Sequence, residues 1–208
     1  MRRLMLFAWC LLPVAAGAYH FGPGQDHVRS DRAAEAAERG MEAAREARAV
    51  AAEKGDAAAT SLWAEAEGAF TEALELLPTE KVREARALRL ERAKAQMFVS
   101  RLPDARRDLG ALVDELAADP EADAELLADA RSALANAQYY STWLMRLEGA
   151  PREEWEPEIE ASRQNYKLAA AHADDDAAAA EARENLESAI RLARMDLSEL
   201  QGLPLPSQ

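Results

Sequence analysis

Carboxylates are the most abundant reactive groups in this chain, and on a helix Glu154 with Glu158, and Glu156 with Glu160, would share a face. Paired carboxyls do acid–base work when one is desolvated and titrates apart from the other. These pairs are expected to face solvent in a chain with 38 acidic residues, where such spacings arise from composition alone. The histidines are His20, His27 and His172, and Gly17, Gly24 and Ala169 stand three places before them, so the Glu-x-x-His of a di-iron bundle is absent. His20 and His27 have no carboxylate or thiol at ligand spacing. The sequence also lacks H-E-x-x-H, C-x-x-C-H, the G-x-S-x-G elbow and a Walker-type glycine loop. A Ser-His-Asp site assembled by folding would have to use His172. Asp174, Asp175 and Asp176 lack the alternating oxygen ligands, central glycine and distal glutamate of a calcium loop. They read instead as negative charge at the positive end of a helix. The expectation is a non-enzymatic protein with no cofactor and no metal.

What remains is a concentration of large side chains at 133–166: Tyr139, Tyr140, Trp143, Trp155 and Tyr166, with Arg146 among them. On a helix Tyr139, Trp143 and Leu147 form one stripe, and Ala137, Tyr140 and Leu144 another about 100° away. A helix apolar on two faces is sandwiched between neighbours as a core. The functional alternative places one stripe, with Arg146, in a groove that holds a peptide or partner helix, since Trp, Tyr and Arg dominate such contacts. On that alternative Tyr139, Tyr140, Trp143, Arg146, Trp155 and Tyr166 are the partner-binding residues.

The elements that must position these side chains are helices. Residues 28–54 repeat Ala33, Ala37, Met41, Ala44 and Ala51 at helical spacing, and Gly55 ends the run. A second helix at 57–77 carries Leu62, Ala66, Phe70, Ala73 and Leu74, with Pro78 closing it. Helices at 80–100 and 105–117 make the next pair, joined by a turn at 101–104 and stopped by Pro120. A third pair runs 123–147 and from Pro151 to about His172, with Gly149 as a left-handed cap and Pro151 in the first turn. The last helix opens at the three aspartates and carries a seam of Leu186, Ile190, Ala193, Leu197 and Leu200, which suits a capping helix. Residues 19–27 read as an extended arm because Gly22, Pro23 and Gly24 interrupt them, and 201–208 as an extended tail.

Composition bounds where such a protein works. Met1, Arg2 and Arg3 precede an apolar run that ends Ala16, Gly17, Ala18, the layout of a secretory signal peptide at 1–18. The run is too short to span a bilayer. Export to the periplasm or medium is expected. Cys10 lies inside it, so the mature chain would hold no thiol or disulfide, and the bulky Trp9 before it argues against lipidation. Formal charge is -13, and without Arg2 and Arg3 there are 23 basic against 38 acidic residues, or -15. Nucleic acid would be repelled, and the basic segment 81–107 is interleaved with Glu84, Glu91 and Asp104 as on a solvated helix face. About 190 mature residues suit a single domain at 28–200.

Ala66, Phe70, Ala73, Leu74 and Pro78 resemble the second helix of a tetratricopeptide repeat, and Ala93 followed by Ala105, Leu109 and Leu112 looks similar in the next pair. Lys54 stands where that motif has a small residue, the second pair lacks its closing proline, and the third pair is longer than the standard unit. WLMRLEG, REEWEPEIE and MDLSELQGLPLP also resemble segments of exported bacterial helical proteins with no assigned function. The tetratricopeptide resemblance implies an all-α fold of stacked antiparallel hairpins in a right-handed array, with a groove for a peptide or partner helix. The expectation is an exported scaffold or interaction protein. Two alternatives stay open: a structural protein that forms homo-oligomers through helix 28–54 or the 186–200 seam, and a small-ligand carrier or enzyme with a pocket at the Trp143 and Trp155 hairpin.

Overall fold

The computed structural model describes residues 23–173 and 176–203, and all regular structure within them is helical. The helices are α1 (Pro23–Lys54), α2 (Asp56–Leu76), α3 (Val82–Met97), α4 (Leu102–Ala118), α5 (Ala124–Leu147), α6 (Arg152–Ala171), α7 (Asp176–Arg194) and α8 (Leu197–Gln201). Residues 1–22, which hold the segment expected to be a signal peptide and the start of the expected arm, lie outside the described residues, as do Asp174, Asp175 and residues 204–208. Each of α1 to α7 packs mainly on its chain neighbours; α3 also touches α5, α5 touches α7, and α8 packs on α5.

Turn chemistry sets these hairpins. Gly55 and Gly149 have φ of +85° and +78°, where a side chain is strained, and they close α1 onto α2 and α5 onto α6. Between α3 and α4 the left-handed residue is Ser100, at φ +61°, and Pro103 sits in the first turn of α4. A proline there loses no helical hydrogen bond, so α4 begins at Leu102, three residues earlier than the spacing predicts. The same property corrects the N-terminal arm, because α1 begins at Pro23 and residues 23–27 are helical rather than extended. Pro151 is the N-cap of α6, one place before its expected position.

Packing divides into three clusters that share helices. Trp63, Ala66 and Phe70 of α2 meet Ala43, Ala44 and Ala47 of α1 and Ala95 of α3. Leu102, Leu109, Leu112 and Leu116 of α4 lock against Leu90 and Met97 of α3 and Leu134, Ala137 and Tyr140 of α5. Each leucine so buried contributes about 1.5–3 kcal/mol. In the third cluster Trp143 of α5 meets Ile159 and Tyr166 of α6, Ala189 and Leu192 of α7 and Leu200 of α8. The two stripes of α5 therefore enter two different clusters, Tyr140 in one and Trp143 in the other. Leu144 is the exception, 43% exposed.

The last helix, expected as one capping element, is two pieces. α7 stops at Arg194, and Asp196 and Glu199 form a reciprocal capping box that starts α8. This break turns Leu197 outward, 41% exposed, while Leu200 is fully buried, so the predicted seam does not run on as one face. Gln201 is the last residue of α8 rather than the start of an extended tail.

Candidate functional site

Side chains of α1, α2, α3, α5, α6 and α7 line a groove of about 800 Å³. α1 contributes Arg48, Ala51 and Ala52; α2 gives Asp56 and Trp63; α3 gives Lys94 and Met97, with Phe98 just beyond it. α5 supplies Asp129, Ser132, Ala133, Asn136, Tyr139 and Tyr140, α6 supplies Tyr166, and α7 supplies Glu181, Asn185 and Ser188. On α5 these positions recur every three or four residues from 129 to 140, so one helical face presents them together.

The wall and the floor are built differently. At the α1–α2 wall Trp63 stacks on Phe98 with ring centroids 4.2 Å apart and planes 8° from parallel. The Arg48 guanidinium lies 5.7 Å from the Trp63 ring centre. Trp63 is 3% exposed, and its Nε1–H is buried with no acceptor from the described residues. On the floor Tyr139 meets Tyr140 edge to face at 5.7 Å, and the Tyr166 hydroxyl donates to Asn136 Oδ1 at 2.5 Å. Burial pushes all three tyrosine pKa values above the ordinary phenol value, with Arg191 opposing it at Tyr139 and Glu181 adding to it at Tyr166. The phenols stay protonated hydrogen-bonding groups at neutral pH. Lys94 Nζ lies 2.9 Å from Glu91, and Arg48 lies 3.9 Å from the same carboxylate.

Tyr139, Tyr140 and Tyr166 thus come together in the groove, whereas Trp143, Arg146 and Trp155 lie elsewhere. Trp143 is buried among its own helices, filling the hairpin where a ligand pocket was one expectation. Arg146, 8% exposed, donates from both terminal nitrogens to the carbonyls of Leu192 and Met195 at the C-terminal end of α7. It caps that helix from outside, at its negative end. Trp155 stacks over the Arg146 guanidinium at 4.8 Å, with Arg152 5.8 Å from the same ring. Desolvation lowers the Arg146 pKa, with Asp196 opposing it, and the hydrogen bonds to carbonyls are what make its burial tolerable.

Sequence reasoning missed Arg48, Trp63, Lys94, Asn136 and the α7 residues Glu181 and Asn185. Trp63 carried a signal, since it stands three and seven places before Ala66 and Phe70 on the same face of α2. The others are single polar residues on polar faces and carry none. Among the described residues no group of three or more His, Cys, Asp or Glu side chains is arranged to hold a metal ion, and no helix is long and apolar enough to cross a membrane. No protein-family model, curated protein or solved structure matches the chain.

Proposed function

We propose that this chain is a non-enzymatic interaction protein that holds an extended peptide or a helix of a partner protein in the groove between α1, α3, α5 and α7. One observation carries the reading: the groove of about 800 Å³ combines aromatic side chains with amides, hydroxyls and charges along its length. Aromatic anchors set in a polar rim are the composition of a binding surface. The order of packing supports a tetratricopeptide-like stack, because neighbouring helices pair and α3, α5 and α7 also touch in turn. Export is part of the proposal and rests on Arg2, Arg3 and the apolar run ending at Ala18. Protein recovered from outside the cytoplasm would begin at Tyr19, which N-terminal sequencing reads directly.

The test is selection from a displayed library of random peptides on the folded protein. Enrichment of a consensus whose binding is lost in Asn185→Trp, which fills the groove from α7, supports the reading. Tyr139→Ala serves as a second variant, with melting checked for each. No enrichment over a blank surface contradicts it.

A further inference from the structure

The charges that line the groove are unbalanced. Its two cations, Arg48 and Lys94, are both engaged by Glu91, which lies 3.9 Å from one and 2.9 Å from the other. Its three carboxylates, Asp56, Asp129 and Glu181, are exposed and form no ion pair among the described residues. Asp56 opens α2, where the positive end of the helix offsets part of its charge. Asp129 and Glu181 stand beyond the first turns of α5 and α7 and have no such offset. Tyr139, Tyr140 and Tyr166 line the same groove, and an aromatic face near a carboxylate favours an ammonium or guanidinium. The net charge of -13 steers the same kind of partner toward the molecule.

We infer that the groove takes a basic segment of a partner protein, whose Lys or Arg side chains pair with Asp129 and Glu181 along the groove. This rests on the peptide-groove reading above and adds the chemistry of the occupant. The library selection separates the two. Enriched sequences carry net positive charge if the inference holds; acidic or neutral sequences overturn it and leave the groove reading standing; no enrichment at all contradicts the groove reading itself.

Fluorescence anisotropy then locates the contact. A labelled peptide of alternating Lys and Ala binds the wild-type chain, and one of alternating Glu and Ala does not. The double variant Asp129→Asn, Glu181→Gln weakens binding by about tenfold for two lost charge pairs and flattens its salt dependence. Glu153→Gln with Glu154→Gln, on the exposed start of α6, leaves binding unchanged. Equal weakening in both double variants means attraction to net charge alone and overturns the inference. Spermine that binds through Asp129 and Glu181 where the Lys peptide does not also overturns it, in favour of a small amine.

Discussion

Gly40 shows at one residue how closely α1 and α2 approach. A Cβ placed there would lie 2.7 Å from the fully buried Phe70 ring, so Gly40→Ala must push the ring or separate the helices. The expected loss is about 1–3 kcal/mol by urea denaturation. Trp143→Ala empties part of the third cluster and loses about 3–5 kcal/mol. Trp155→Ala, at a half-buried ring outside the groove, loses less and leaves peptide binding intact in a titration. Arg146→Met removes the donors to the Leu192 and Met195 carbonyls, and a loss of about 1.5–3 kcal/mol in the same denaturation assay is expected. At this scale the sequence marked the large aromatic side chains but not their roles. Tyr139, Tyr140 and Trp143 lie within five positions of one another, yet the turn of α5 keeps Trp143 in the third cluster alone, while Tyr139 and the buried Tyr140 also line the groove. Arg146 looked like a contact residue because nothing local reveals that the end of α7 comes to meet it.

Between elements, α3 and α4 are tied by charges as well as by leucines. Arg86 bonds Glu115 and Asp119 at 2.8 and 2.7 Å, and Arg89 reaches the other oxygen of Glu115 at 2.5 Å. The Arg86 hydrogen bond is the leading cause that holds both carboxyls below their ordinary pKa values. A carboxyl lowered in the fold adds stability that is present above its unfolded pKa and is lost as pH falls through the folded one. Wild type is therefore expected to melt above Arg86→Met at pH 7, with the gap closing as pH falls below about 4. Calorimetry across that range measures it, and a gap that is constant with pH would contradict the ladder. The order of the first seven helices was legible because glycine or proline stands at most of their junctions. The ends were less so. Pro23 and Pro103 open helices where they read as breaks, and the Asp196 capping box, visible only as D-x-x-E, splits what its apolar spacing joins. In α1 the spacing named Met41, which is 45% exposed, while the small side chains of Ala36, Ala43 and Ala47 make the real contact.

Across the whole molecule, the groove depends on helices far apart in sequence, and this is why most of it was not legible. Arg48, Trp63, Lys94 and Glu181 line one groove only once α1, α2, α3 and α7 are brought together by the fold. The central claim is that a peptide sits there, against Trp63 and the tyrosine floor. Two variants test it, one retaining only Trp63 and one only Trp155, with every other tryptophan replaced by Phe. Titration of a basic peptide selected from the library is expected to change Trp63 emission saturably, at the Kd found by anisotropy, and to leave Trp155 emission flat. A peptide that binds with that Kd yet perturbs Trp155 and not Trp63 would contradict the claim and place the site on the outer side of the α5–α6 hairpin.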